Sequence, residues 1–367
     1  MNRIILTLGC LALAVPLAAR PVYEKQDPPR ELTEEQAARA AANYQKYCTL
    51  CHGADREGYA NDHAPSLRSK SLFESGVPHS ILRPLSYGRE GTAMAGYLDE
   101  VGGPMNLDEV WDLTYWLFWQ SGAERVRLTE NPVEGDITRG EAVFEQHCTG
   151  CHGKNGEGVN APALANPSAL AHNKDEFIRY AIVNGRDGTP MQSFDGILSE
   201  QDIDNVTAFI RSKARDFNEQ KTVLKTLPTP DQYVVNPQGE DPDFTLTDDM
   251  YVSSADLHQA LQAKNRMILL DTRVPSVWQR AHIEGSIPFP YYSDLDDKLA
   301  DLPKDVQIVG YCSCPRAATE HVIRQLRDKG YTKTAVLWEG IFGWMNLGYP
   351  VTRAEGISDK DEDEAAH

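Results

Sequence analysis

The pattern of apolar and polar positions divides the chain into two parts. Before about residue 213 apolar residues recur at helical spacing, and after residue 242 short apolar runs alternate with amphipathic stretches. Two helical faces in the first part are formed by Val110, Leu113, Thr114 and Leu117 and by Val206, Phe209 and Ile210. Residues 34–47 and 138–147, rich in Ala, Glu and Gln, predict two further helices. The first part is therefore predicted to be all α.

One of these helices carries a second apolar stripe, formed by Trp111, Tyr115, Phe118 and Trp119. A helix that is apolar on two faces is buried on two sides. We expect the stripe to contact a second helical unit of this chain rather than another protein.

The second part of the chain predicts a different fold class. Residues 267–270 and 306–311 are short apolar strands, and residues 317–329 predict a helix that Gly330 ends. This alternation is typical of an α/β domain with a parallel sheet. The polar, proline-containing residues 214–242 predict a linker, and the acidic run at 359–364 predicts a disordered tail.

Length, charge and the N-terminus narrow the function classes. The 367 residues suffice for two or three domains, and a net charge of −18 argues against nucleic acid as a partner. Residues 1–19 are typical of a signal peptide, which predicts an exported, periplasmic protein. An uncleaved membrane anchor is less favoured, because the apolar stretch is short for a span. No later segment is apolar enough to cross a membrane, so the mature chain is expected to be soluble.

The seven cysteines include two C-x-x-C-H motifs, formed by Cys48, Cys51 and His52 and by Cys148, Cys151 and His152. This is the attachment motif of c-type haem: two thiols add to the vinyl groups of one porphyrin, and the histidine binds the iron. A thioredoxin-like pair or a zinc site would not explain a histidine after each second cysteine. The motifs predict two covalently attached haem c groups.

A repeat follows each motif. Residues 88–94 and 185–191 share the string Gly-Arg-x-Gly-Thr-x-Met, offset by 97 residues. The strings end at Met94 and Met191, whose soft thioether sulfur suits haem iron. We predict these methionines as the ligands opposite the motif histidines. Met105 is the reserve in the first repeat, and bis-histidine ligation would need His63 or His79.

Each repeat resembles a class I cytochrome c domain, and the tandem is similar to dihaem cytochromes of the cytochrome c4 group. The resemblance covers about residues 31–213. It implies two all-α domains, at residues 31–122 and 136–213, that exchange electrons with a redox partner protein. It also implies that the carbonyls of Pro65 and Pro162 orient the haem histidines.

A further cysteine lies at the strand–helix junction of the α/β part. Cys312 directly follows the strand, and Cys314 and Arg316 precede the helix. A helix N-terminus and a neighbouring guanidinium both favour a thiolate, and the same loop can hold an oxyanion. The pattern predicts nucleophilic sulfur chemistry at Cys312, with Arg316 as the cation. Cys314 is either a resolving thiol or a space-filling residue.

The surroundings of Cys312 resemble the rhodanese family over about residues 246–353. The matching segments are residues 270–273, 280–287, 338–344 and 348–351. The resemblance implies that Cys312 forms a persulfide. It implies structural roles for Asp271, Arg273, His282 and Gly285. Commoner rhodaneses carry glycine where this chain has Pro315, so a catalytically silent docking module stays open.

These features predict three domains: two all-α cytochrome c domains and an α/β rhodanese-like domain. A linker at residues 214–245 precedes the last domain, and a tail at 354–367 follows it. The first hypothesis is electron transfer coupled to oxidation of a small sulfur oxyanion or polysulfide held at Cys312. The alternatives are a plain electron carrier whose last domain binds a partner, and an independent sulfurtransferase.

Overall fold

The computed structural model describes residues 23–61, 63–217, 225–298, 302–313 and 316–353. The predicted signal peptide, the predicted tail, Cys314 and Pro315 lie outside the described residues. Within the described ranges, no helix is long and apolar enough to cross a membrane.

The described residues of the first helical unit form five α-helices and a two-stranded ribbon that joins the start of the unit to its end. Its elements are β1 (Glu24–Lys25), α1 (Glu34–Tyr47), α2 (Thr49–His52), α3 (Lys70–Ser75), α4 (Pro78–Tyr87), α5 (Leu107–Ser121) and β2 (Val126–Arg127). Capping boxes at Thr33 and Asn106 fix the starts of α1 and α5. These two helices pack together, with Val110, Leu113 and Leu117 of α5 buried as the pattern predicts.

The second helical unit repeats this plan. Its helices are α6 (Ile137–His147), α7 (Thr149–His152), α8 (Pro167–His172), α9 (Asp175–Asn184) and α10 (Glu200–Arg211). The first and last of them form the main pair, and Val206, Phe209 and Ile210 are buried in it. The prediction that the first part of the chain is all α is confirmed.

The aromatic stripe on α5 contacts the N-terminal arm of its own unit, and Trp119 stays 42% exposed. Trp119 Nε1 donates to the carbonyl of Arg30, and the Arg30 guanidinium lies 5.0 Å from the centre of the Tyr115 ring. Trp111 packs edge-on against His79. Because β1 pairs with β2 just after α5, the arm is held across this face, and the second unit packs on α3 and α4 instead. The predicted contact of the stripe with the second unit is therefore wrong.

The last part of the chain is an α/β domain. Its strands are β3 (Val234–Val235), β4 (Tyr251–Val252), β5 (Met267–Asp271), β6 (Ala281–His282), β7 (Ile287–Pro288), β8 (Gln307–Tyr311), β9 (Thr334–Leu337) and β10 (Thr352–Arg353). Its helices are α11 (Ser254–Gln262), α12 (Pro275–Arg280), α13 (Leu295–Lys298), α14 (Ala317–Asp328) and α15 (Gly340–Asn346). The main sheet has the order β3-β5-β8-β9-β4, with β7 beside β5, and only the β3–β5 pairing is antiparallel. Its two faces pack against α14 on one side and against α11 and α15 on the other. The predicted α/β class with a mostly parallel sheet is confirmed.

The segment predicted to be a linker contributes an edge strand to this sheet. Val234 and Val235 of β3 pair with Ile268 and Met267 of β5. A two-residue strand is too short to give an alternating pattern in the sequence, which is why the segment resembled a linker.

Candidate functional site

The two C-x-x-C-H motifs have the same backbone structure. Each lies on a single helical turn, α2 or α7, that continues from the preceding helix. The amide of Cys48 donates to Tyr44 and that of Cys148 to Phe144, both at 2.9 Å. Among the described cysteines none forms a disulfide. Burial raises the pKa of Cys48 to about 12 and that of Cys148 to about 11, so both are neutral thiols.

Both motif histidines are buried and held by a carbonyl. Nδ1 of His52 donates to Pro65 at 2.9 Å, and Nδ1 of His152 donates to Pro162 at 2.9 Å. These are the contacts that the cytochrome resemblance implies. Burial lowers the pKa of both imidazoles, although each hydrogen bond opposes the shift. A neutral ring protonated at Nδ1 leaves the Nε2 lone pair for a metal.

The two Gly-Arg-x-Gly-Thr-x-Met strings form the same hydrogen-bonded loop. In the first, the amide of Arg89 donates to Met94 at 2.7 Å, while the Thr92 hydroxyl donates to Arg89 and accepts from the Met94 amide. The second loop has the same three bonds between Arg186, Thr189 and Met191. We call them the Met94 loop (residues 88–94) and the Met191 loop (residues 185–191).

Each methionine shares an apolar cluster with the first cysteine of its own motif. Met94 packs on the cluster that contains Cys48, and Met191 lies in the same cluster as Cys148. The donor set of each unit is thus two free thiols, a neutral imidazole and a thioether. That set fits haem c.

The alternative ligands occupy less suitable positions. His63 and His79 are exposed, and His79 packs against Trp111 on the surface. Met105 is only 1% exposed, in the core of the first unit. The exposed histidines favour methionine over bis-histidine ligation.

The Met191 loop docks on the first helical unit. Asp187 accepts hydrogen bonds from the amides of Lys70 and Ser71, at 3.0 and 2.9 Å, and from the Ser69 hydroxyl at 3.0 Å. Arg186 donates to the Ser71 carbonyl at 2.9 Å. Burial opposes ionisation of Asp187, but these hydrogen bonds prevail and lower its pKa below the usual value. The carboxylate therefore caps α3 across the interface between the two units.

The Met94 loop and the segment after it contact the α/β domain. Ser276 donates to the Gly96 carbonyl at 2.6 Å, and Arg280 pairs with Glu90 at 3.1 Å. Val274, only 2% exposed, is part of the first unit's apolar cluster. The α/β domain is thus packed on the unit that contains Met94.

Tyrosines line the same interface beside the first haem motif. The Tyr291 hydroxyl donates to the carbonyl of Tyr47, which directly precedes Cys48. Tyr97 donates to the same carbonyl at 3.2 Å, and Tyr292 packs edge-on against the Tyr47 ring at 4.7 Å. Burial raises the pKa of Tyr291, which keeps it a neutral donor.

Cys312 directly follows β8, and both Cys312 and Ser313 are buried. Cys312 is 4% exposed, its thiol donates to the Ser313 carbonyl at 3.2 Å, and its own carbonyl accepts from the Ile341 amide at 2.9 Å. Gly340 has φ +61°, and a Cβ there would lie 2.5 Å from the Ser313 oxygen. Glycine at the start of α15 therefore allows α15 to lie against the backbone of Cys312 and Ser313.

Two arginines near Cys312 have different surroundings. The Arg316 guanidinium stacks on Trp338 at 3.8 Å and donates to its carbonyl at 2.9 Å. Arg273 pairs with Asp271 at 2.6 Å; burial lowers the Arg273 pKa, but Asp271 and, more weakly, Cys312 raise it above its usual value. Arg273 is thus a cation that interacts electrostatically with Cys312, whereas the rhodanese resemblance implied only a structural role for it. The predicted role of Arg316 stays a prediction.

A cavity of about 60 Å³ lies between the Met94 loop and the loop that carries Cys312. Arg89 and Met94 line it from the first unit, and Arg273, Arg280 and Ser313 from the α/β domain. The sequence did not predict this cavity, because its two walls lie about 200 residues apart in the chain. The one feature of the sequence that could have indicated the cavity is the arginine of the repeated string, which is Arg89 in the first repeat.

Models of three protein families match the chain. Residues 35–117 match cytochrome C oxidase, cbb3-type, subunit III, and residues 137–214 match cytochrome c. Residues 253–347 match the rhodanese-like domain.

Individual relatives match separate parts of the chain. The cbb3-type cytochrome c oxidase subunit CcoP of Helicobacter pylori is 27% identical over 143 residues, 39% of this chain and 46% of the relative. Cytochrome c6 of Petalonia fascia is 32% identical over 83 residues, 22% of this chain and 95% of the relative. A sulfurtransferase of Allochromatium vinosum is 27% identical over 105 residues, 29% of this chain and 96% of the relative. The chain thus spans just under half the length of the CcoP relative.

Proposed function

We propose that this protein transfers electrons, because the chain belongs to the cytochrome c family. It carries a rhodanese-like domain after its two helical units. Cytochrome c domains hold haem c and transfer electrons. Two complete motifs support two haems per chain: His52 and Met94 would bind the iron of one, and His152 and Met191 would bind the iron of the other. Residues 1–19, as a cleaved signal peptide, would bring the protein to the periplasm, where it meets a redox partner protein.

The sulfur chemistry that we propose is the formation of one S–S bond at Cys312. The Cys312 thiolate joins the terminal sulfur of thiosulfate: Cys312–S⁻ and S₂O₃²⁻ give Cys312–S–S–SO₃⁻ and two electrons. Haem c, when bound, supplies a one-electron couple, so two haems per chain account for both electrons. Arg273 stabilises the thiolate, and Cys312 itself is buried beside the cavity.

The observation that carries this proposal is the shared cavity. Ser313, which follows Cys312, and Met94, the proposed haem ligand, line its opposite walls. Tyr291 and Tyr292 also contact the residue before Cys48. Sulfur oxidised at Cys312 would therefore lie beside the first haem site.

Haem reduction by thiosulfate tests the coupling. In stopped-flow absorbance, thiosulfate should reduce the oxidised wild-type haems at least tenfold faster than those of Cys312→Ser, because the variant forms no S–S bond. Ascorbate should reduce both proteins at the same rate. Equal thiosulfate rates would reject the coupling and leave the plain electron carrier.

The likeness to a sulfurtransferase supports a second candidate function. Under it, Cys312 would take the outer sulfur of thiosulfate as a persulfide and release sulfite, with no electron leaving. Sulfite release without haem reduction would favour this alternative.

A further inference from the structure

The two methionine loops use their arginines differently. Arg186 donates to the Ser71 carbonyl and lies 5.0 Å over the Phe177 ring. Arg89 is the equivalent residue of the Met94 loop, yet within the described part of the chain no carboxylate or carbonyl pairs with its guanidinium. Burial lowers the pKa of Arg89 to about 10, which leaves it charged at neutral pH.

The cavity that Arg89 lines carries a surplus of positive charge. Arg273 is neutralised by Asp271 and Arg280 by Glu90. Arg89 is the third arginine on the wall, and among the described residues no carboxylate pairs with it. The Arg89 side chain is half-buried, and an anion in the cavity would give its charge a partner.

The size of the cavity selects a small ligand. Its volume of about 60 Å³ has room for several water molecules, each of which needs about 10–15 Å³ by the same measure. A ligand of a few non-hydrogen atoms fits this space.

We propose that this cavity binds a small sulfur oxyanion of the thiosulfate and sulfite class, with Arg89 as the residue that holds its charged end. The inference rests on the proposed function and specifies where its substrate binds. Arg89 and Ser313 line the same cavity, so an oxyanion held by the guanidinium has its other end toward the loop of Cys312. Binding also brings the substrate against Met94.

Calorimetric titration of thiosulfate tests the site. The holoprotein carries Cys312→Ser, so that binding is measured without reaction, and the ionic strength is held constant. Arg89→Gln should weaken binding at least tenfold, because it removes a buried charge-assisted contact. Arg89→Lys, which keeps the charge but not the planar fork, should fall between the two.

Two controls match the charge change. Arg68→Gln and Arg127→Gln each alter an exposed arginine of the same unit. Both should leave thiosulfate binding within about twofold. Equal weakening in all three variants would mean non-specific attraction and would overturn the site.

The outcomes separate this inference from the proposed function. Unchanged binding in Arg89→Gln and Arg89→Lys overturns the site, even if haem reduction depends on Cys312. Weakened binding in Arg89→Gln, with equal haem reduction in wild type and Cys312→Ser, supports the site and rejects the coupling. Absorption spectra of each variant report whether Met94 ligation is retained, and Arg89→Lys decides the result if Arg89→Gln loses it.

Discussion

At the scale of single residues, equivalent positions of the two repeats make different contacts. Asp187 caps α3 of the neighbouring unit, whereas Glu90 in the same place pairs with Arg280 of the α/β domain. The Glu90 carbonyl also accepts from Asn166 of the second unit at 2.8 Å. Both methionine loops thus serve as docking surfaces, and the local backbone that presents each methionine is unchanged.

Because the two loops have the same backbone hydrogen bonds, we expect Met94 and Met191 to act alike as haem ligands. Met94→Ala and Met191→Ala should each remove about half of the weak long-wavelength absorption band of methionine-ligated ferric haem, because each loop supplies one thioether. The spectrum of the oxidised protein measures this directly. Met105→Leu should leave the band intact, since its side chain belongs to the core. A band that survives in both alanine variants would contradict the ligand assignment.

At the scale of elements, the cap on α3 joins the two helical units. Asp187→Asn should lower the free energy of unfolding by about 1–2 kcal/mol, because the amide keeps one acceptor oxygen but loses the charge and the second acceptor oxygen that the Lys70 amide uses. Urea unfolding followed by haem absorbance measures the difference. Glu134→Gln, an exposed change of the same charge, should have no effect.

The pKa of Asp187 gives the pH dependence of this difference. Its folded pKa lies below the unfolded value of about 3.9, so the stabilisation is complete above that value and is lost as the pH falls through the folded pKa. The gap between wild type and Asp187→Asn should be constant near neutral pH and should close below about pH 4. A gap that widens in acid would contradict the cap.

Elements also show what the sequence could and could not predict. Helix α1 covers Glu34–Tyr47 as its composition indicated, and the hydrogen bonds of His52 and His152 reach the prolines that the resemblance implied. Residues that are close in the sequence determine such features, so a local pattern can predict them. Three features depend on contacts between segments that are distant in the chain, so no local periodicity predicts them. They are the edge strand at Val234–Val235, the N-terminal arm over α5 and the cavity beside Arg89.

At the scale of the whole molecule, the first helical unit is central. The Met191 loop contacts it at Ser71, and the α/β domain contacts it at Glu90 and Gly96. Electrons that leave Cys312 would therefore reach the first haem site before the second. Under the proposed function, a two-electron oxidation at one cysteine would be matched by two one-electron centres in the same chain.

The central claim is that two electrons pass from sulfur to haem for each S–S bond formed at Cys312. One measurement tests it: oxidised protein reacts once with thiosulfate, reduced haem is counted by absorbance, and the adduct on Cys312 is counted by intact mass. The pyridine haemochrome assay on the same sample gives the number of haems. The account predicts two haems per chain and two reduced haems per adduct. Adduct without haem reduction, or reduction without adduct, would contradict it.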